Sequence, residues 1–249
     1  MQAYLFEETP ISTTIWKGKV CLIIQFSGCD FKCPYCNKPA LVEFKEENLR
    51  DIREIKKIIE ENSSHIEAVF FTGGEPCLQR LALLELAKTA KDNSLLIGLD
   101  TNGSKPSVIN ELISKGMVDL INLDIKCRLD PSTFEKVTRS STFFIPSSEI
   151  IKNLKETIGI LKTSDLTVEI TTLIVPSIMF RKEDFLEIAN LIKEMNAFWT
   201  IRQFDNSSVL SNNLAGVAPP SHKFMQTIKD AILDEFPDMN IELEFNEEE

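Results

Sequence analysis

Short apolar, β-branched runs alternate along the chain with longer stretches in which apolar residues recur at helical spacing. That pattern predicts parallel strands joined by crossover helices. Strands are expected at 21–26, 66–72, 95–100, 118–124, 167–175 and 198–204, with 241–245 as a candidate for a last short one. Helices are expected between them, at 48–62, 78–92, 105–115, 148–163, 181–195 and 221–236. Several strands are apolar along most of their length, as in Ala68-Val69-Phe70-Phe71, which suits strands covered on both faces. Six βα units exceed half of a closed eight-unit barrel and fall short of the whole. The expected fold is therefore α/β, a partial, laterally open (β/α)6 barrel; an open doubly wound sheet is the alternative that the same alternation permits. No internal repeat, low-complexity tract or Gly/Ser linker interrupts the pattern. One domain is expected over 1–249, with its core at about 17–205 and a C-terminal helix and short strand in 206–249.

Each predicted strand runs directly into a polar or Gly/Pro-bearing cluster. In order these are 28–36, Thr72-Gly73-Gly74-Glu75-Pro76, Asp100-Thr101-Asn102-Gly103, Asp124-Ile125-Lys126, Val175-Pro176 and Arg202-Gln203-Phe204-Asp205. Parallel strands bring their carboxyl ends to one face, where ligand sites of α/β folds lie. The six clusters are thus expected to converge on one mouth.

Composition narrows the partners. A hydrophobic share of 43% over 249 residues is enough for a sizeable core. The net charge of −11 argues against nucleic acid, whose backbone demands a dense basic surface. The first residues lack the basic and apolar regions of a secretory signal, and no apolar stretch is long enough for a bilayer. A cytoplasmic location without a membrane partner is expected. The acidic end, Asn246-Glu247-Glu248-Glu249, reads as a solvated tail. In that compartment six cysteines read as thiols or metal ligands rather than disulfides.

Three of the six crowd into Cys29-Asp30-Phe31-Lys32-Cys33-Pro34-Tyr35-Cys36. Three thiolates in one loop can be directed at a compact soft-metal centre. A closed zinc site or an ordinary electron-transfer cluster uses four protein ligands, and no fourth cysteine lies in the loop. A cluster held by three thiolates leaves one iron open to a small molecule. The alternative is a zinc knuckle completed by a distant residue.

With Tyr35 before the last cysteine and Gly73-Gly74-Glu75-Pro76 at the end of the next strand, the chain resembles the radical S-adenosylmethionine (SAM) superfamily. The resemblance implies one four-iron, four-sulfur cluster on Cys29, Cys33 and Cys36. Its open iron would be chelated by the amino and carboxylate groups of SAM, which reductive cleavage splits into methionine and a 5′-deoxyadenosyl radical. It also implies that Gly73 and Gly74 meet the methionine amino group, that Glu75 fixes the strand end, and that Tyr35 belongs to the cofactor site. Asp100-Thr101 and Asp124-Ile125-Lys126 resemble the subset that activates glycyl radical enzymes, closest to the short activases of anaerobic ribonucleotide reductase. By that resemblance Asp100, Thr101 and Asp124 lie near the methionine carboxylate, with a monovalent cation among the oxygens, and Lys126 acts as a cationic donor. Without a cation, two aspartates beside a carboxylate repel one another; the bland alternative for Asp124 and Lys126 is a solvated ion pair.

The similarity runs from Pro10-Ile11-Ser12-Thr13 to about Gln203-Phe204. Related activases present a histidine after the sixth strand where this chain has Arg202, Gln203 and Phe204. The implied partners are a glycyl radical enzyme as protein substrate and a reductant such as flavodoxin or ferredoxin. Two other functions stay open: radical SAM chemistry on a small molecule such as a deazapurine precursor, and an iron–sulfur protein that only carries electrons. Cys77 and Cys127 each follow a site motif and read as packed free thiols near the mouth, a further metal ligand being the alternative; Cys21 reads as core. His65 and His222 flank helix ends, are expected at the surface and receive no role.

Overall fold

The computed structural model describes residues 1–6, 9–142 and 144–246, so the acidic end beyond Asn246 lies outside them. The described residues form ten strands: β1 (Gln2–Tyr4), β2 (Ile11–Ser12), β3 (Cys21–Phe26), β4 (Leu49–Asp51), β5 (Ala68–Gly73), β6 (Leu96–Thr101), β7 (Leu120–Asp124), β8 (Thr167–Ile174), β9 (Ala197–Gln203) and β10 (Asn240–Glu244). The helices are α1 (Ile52–Asn62), α2 (Arg80–Asp92), α3 (Pro106–Ser114), α4 (Pro131–Thr138), α5 (Ser147–Lys162), α6 (Lys182–Ile192), α7 (Asn212–Ala215) and α8 (His222–Glu235). One sheet has the order β10-β9-β8-β7-β6-β5-β3-β2. From β3 to β10 every neighbouring pair is parallel, and β2 adds antiparallel to β3. Its two ends, β2 and β10, do not pair with each other among the described residues. The strand order advances without reversal, unlike that of a doubly wound sheet, and the structure is the expected partial, open barrel.

Alternation along the strands separates two environments. Val69 and Phe71, Ile97 and Leu99, Ile121 and Leu123, and Trp199 and Ile201 face the helices, where they join Leu86, Leu112, Leu154, Ile188 and Ile228 in one continuous core. On the opposite face the base is apolar, and toward the carboxyl ends Leu173 lies among polar residues. Cys21, Ala68, Phe70 and Leu120 form a small cluster against Ile15, Trp16 and Leu96. Gly98 is required there, because a Cβ would stand 2.4 Å from the Phe70 ring. Further along, the same face carries Thr72, Asp100, Asn122, Asp124 and Thr171. Apolar cover on both faces therefore holds at the base, and toward the carboxyl ends the inner face carries the polar clusters expected there.

The two free edges are joined at one point. Lys17, in the turn between β2 and β3, reaches Glu242 of β10 at 2.5 Å, and its ammonium lies 5.6 Å from the Phe198 ring of β9. Lys17 is largely exposed, so this contact is weak.

Several elements depart from the expected pattern, and β1, β2 and α7 are additions to it. The helix placed at 48–62 begins only at Ile52, because Leu49–Asp51 pairs antiparallel with β1. Asp51 then caps the helix by accepting from the Arg53 amide at 3.0 Å. Helix α4 was not anticipated. Its N-terminal signal, Asp130-Pro131-Ser132-Thr133, was nevertheless in the sequence, with Asp130 accepting from the Thr133 amide at 3.0 Å and Pro131 at the first helical position. The short strand at 241–245 becomes a full parallel member of the sheet, pairing with β9 along all five residues of β10. No described helix is long and apolar enough to cross a membrane.

Candidate active site

The loop after β3 carries the three cysteines and is tied down by its backbone. Gly28 and Cys29 donate to the Leu41 and Val42 carbonyls at 2.8 and 2.9 Å. Lys32 donates to the Thr138 carbonyl at the end of α4, and Ser211 donates to the Pro34 carbonyl, both at 2.8 Å. Phe31 packs edge-on against Phe134 of α4 with centroids 5.7 Å apart. The overlooked helix α4 is thus one wall of this loop. Within it the Cys36 amide closes a turn on the Cys33 carbonyl at 3.0 Å, and the Phe31 amide donates to Cys29 Sγ at 3.4 Å.

The Gly73-Gly74 turn lies against that loop. Gly73 has φ +117°, and a Cβ on it would fall 2.2 Å from the Phe26 carbonyl oxygen. A Cβ on Gly74 would fall 2.3 Å from the Gly28 oxygen and 2.7 Å from that of Leu41. Only glycine allows this approach at either position. The Gly74 and Glu75 amides then donate to the Phe26 and Gly28 carbonyls, each at 2.8 Å.

Glu75 turns away from the interior. It is fully buried, and its carboxylate accepts from the Cys77 amide at 3.0 Å, the Thr101 hydroxyl at 2.8 Å and the Asn102 amide at 2.7 Å. Burial pushes its pKa up to about 7, with repulsion from Asp30 adding to the rise and the three donors opposing it.

A second network crosses four neighbouring strands on the inner face. The Thr72 hydroxyl donates to Asp100 Oδ2 at 2.7 Å, the Asn122 amide to Asp100 Oδ1 at 2.8 Å, and the Thr171 hydroxyl to Asn122 Oδ1 at 2.9 Å. Burial raises the Asp100 pKa against these two bonds. Beside it, Asp124 accepts from the Lys126 ammonium through Oδ2, while Asp124 Oδ1 is buried without a partner. Burial works against the Lys126 charge, but Asp124 and the nearby thiols outweigh it and raise its pKa.

These side chains line one cavity of about 250 Å³ at the carboxyl ends of the strands. Cys29, Cys33, Cys36, Tyr35, Gly73, Gly74, Asp100, Thr101, Asp124 and Lys126 all border it. Of the cofactor-site residues expected from the sequence, Glu75 alone does not, and it acts on the wall from behind. Arg202 and Gln203 also border the cavity, whereas Phe204 is buried in the core. The segment after β10 supplies more of the wall than the sequence suggested. Phe245 and Asn246 line it, and the Asn246 amide donates to Gln203 Oε1 at 2.8 Å. Its signal was weak because only the pairing of β10 with β9 brings it there. Cys77 and Cys127 are buried outside the cavity lining. His65 and His222 are exposed, and His222 stacks on Phe245 at 4.0 Å.

The donor set suits a multi-iron cluster. Burial pushes the Cys29 thiol well up and Cys33 up to about 11, so both keep their protons until a metal replaces them. Three sulfurs bordering one cavity can each serve a different iron. The family model of the radical SAM superfamily matches residues 23–192. The chain belongs to that superfamily. Its radical SAM relatives include a Methanocaldococcus jannaschii protein named as a candidate glycyl-radical enzyme activating enzyme, 31% identical over 206 residues, or 82% of this chain and 81% of that one. The pyruvate formate-lyase-activating enzyme of Clostridium pasteurianum is 25% identical, covering 70% of this chain and 69% of its own. The 7-carboxy-7-deazaguanine synthase of Clostridium acetobutylicum is 32% identical over 54% of this chain and 59% of its own. Among solved structures, SuiB of Streptococcus suis bound to its precursor peptide SuiA superposes with a TM-score of 0.65 at 14% identity. That match covers 90% of this radical SAM chain, which spans 48% of the longer SuiB.

Proposed function

We propose that this radical SAM enzyme activates a glycyl radical enzyme by removing a Cα hydrogen from one of its glycines. Cys29, Cys33 and Cys36 would hold a four-iron, four-sulfur cluster, leaving one iron for the amino and carboxylate groups of SAM. When bound and reduced by an external donor such as flavodoxin or ferredoxin, the cluster supplies the electron that splits SAM into methionine and a 5′-deoxyadenosyl radical. With that chemistry supplied, a hydrogen atom would pass from the glycine of the partner to the cleaved cofactor fragment, giving 5′-deoxyadenosine and a glycyl radical. The chain itself contributes binding and placement. Gly73 and Gly74 keep the backbone clear of Cβ atoms beside the cysteine loop, Lys126 offers a cation to the carboxylate, and the buried Tyr35 borders the cavity within the loop. The buried Asp124 Oδ1 offers an acceptor that the ligand or a monovalent cation would satisfy.

The observation that carries this reading is the extent of the match. The relative named for glycyl-radical enzyme activation is shared over 82% of this chain. The unpaired edges β2 and β10 support it, since they leave the barrel open sideways to a loop of another protein. The test is electron paramagnetic resonance of reduced protein, SAM and a glycyl radical enzyme of the same organism. A stable glycine-centred doublet is expected, and it should disappear when the acceptor glycine is replaced by alanine.

A second reading keeps the cofactors and replaces the protein with a small deazapurine precursor. It is favoured by the 32% identity to a 7-carboxy-7-deazaguanine synthase, over 54% of the chain. Consumption of a small metabolite in step with 5′-deoxyadenosine, without any protein radical, would establish it instead.

A further inference from the structure

The cysteine loop has one side-chain tie to the far side of the site. Asp30, next to Cys29, accepts from the Asn102 side-chain amide at 2.8 Å through Oδ1 and from the Ser104 hydroxyl at 2.7 Å through Oδ2. The Lys105 ammonium lies 3.0 Å from the same Oδ2. Asp30 belongs to the loop after β3, and 102–105 to the loop after β6. These strands are not neighbours: β5 lies between them, and its Gly73-Gly74 turn sits under the contact.

Both ends of the tie are held in advance. Asn102 and Ser104 are buried, and the Ser104 amide donates to Asn102 Oδ1 at 2.9 Å, which fixes the Asn102 side chain with its amide group toward Asp30. The Asn102 backbone amide is fastened to Glu75 Oε2 at 2.7 Å. A continuous series therefore runs from Glu75 through Asn102 to Asp30, joining the loop after β5, the loop after β6 and the cysteine loop. Other ties on the cysteine loop, to Leu41, Val42, Glu75, Thr138 and Ser211, are backbone bonds to different segments. They hold the loop in place if Asp30 is lost, but among the described residues none of them bonds directly to 102–105; the Gly28–Glu75 bond reaches Asn102 only through the Glu75 side chain.

We infer that Asp30 is a positioning residue that clamps the cysteine loop to 102–105 across the glycine turn, setting the cysteines at a fixed spacing from Asp100 and Thr101. A ligand that must touch both sides would then meet a preformed site rather than assemble one. The inference rests on the cluster and SAM reading of the cavity and is independent of what accepts the radical.

Two measurements on Asp30→Ala, Asp30→Asn and Ser104→Ala test it. In iron-free protein, amides of both 29–36 and 102–105 should exchange hydrogen faster in Asp30→Ala than in the parent chain. In anaerobically reconstituted protein, iron content should be retained while SAM affinity by calorimetry falls by about tenfold, the scale of a lost charged hydrogen bond. Ser104→Ala should show part of the same loss and add little to Asp30→Ala, and Asp30→Asn should recover part of it by keeping an acceptor for Asn102. Unchanged exchange at 102–105 would overturn the clamp. So would loss of iron and thermal stability with no recovery in Asp30→Asn, which marks a merely structural residue. The exchange measurement needs neither iron nor SAM, so its outcome is separable from the proposed function.

Discussion

Asp124 gives one carboxylate oxygen to the Lys126 ammonium two residues on and leaves the other, Oδ1, buried without a partner. A fully solvated surface pair would leave no such acceptor, and both residues border the cavity. Asp124→Ala and Lys126→Ala should therefore keep their iron yet bind SAM about tenfold to a hundredfold more weakly, as expected for charged contacts to a ligand. Calorimetric titration of the reconstituted variants decides the matter. Unchanged affinity in both would return the pair to a plain ion pair.

Replacing any of Cys29, Cys33 or Cys36 by alanine should abolish cluster assembly, because in the proposed site each sulfur would serve a different iron. Cys77→Ala and Cys127→Ala should load iron normally, since both thiols are buried outside the cavity lining. Iron and acid-labile sulfide assays after anaerobic reconstitution read this directly. A Cys77 variant as empty as the Cys33 variant would contradict the assignment of three ligands.

Much of this site was legible because its chemistry depends on local spacing. The cysteine triplet, the Gly73-Gly74 turn and the Asp-Thr and Asp-x-Lys pairs each occupy one strand end, and parallel strands carry them to one mouth without further information. What was illegible depends on contacts between distant segments. Helix α4 has only eight residues, too short for a helical period to stand out, yet Phe134 and Thr138 hold the cysteine loop. Leu49–Asp51 carries helix-compatible residues and becomes a strand only because Gln2–Tyr4 lies beside it. Glu75 appeared with the cofactor residues because it adjoins Gly74, but its side chain points the other way. Phe245 and Asn246 lacked any motif and reach the cavity through the register of β10 on β9.

Glu75 gives the iron-free protein a pH signature. Its ordinary value is 4.5, and burial, with Asp30 adding repulsion, pushes it up to about 7 in the fold. Between those values the folded chain keeps a proton that the unfolded chain has lost. Stability should therefore be fully present below about pH 4.5, fall as pH rises toward about 7, and level off above, by on the order of 3 kcal/mol from this group. Chemical denaturation across that range should show the fall, and Glu75→Gln should flatten it. An unchanged slope in Glu75→Gln would mean that the three donors keep Glu75 ionised throughout.

The fate of one hydrogen atom tests the central claim most directly. A partner glycyl radical enzyme made with glycine deuterated at Cα is incubated with the reduced, reconstituted protein and SAM, and the 5′-deoxyadenosine is analysed by mass spectrometry. Deuterium in that product, together with a glycine-centred radical on the partner, is the predicted result. Unlabelled 5′-deoxyadenosine that accumulates only when a small metabolite is consumed would contradict it.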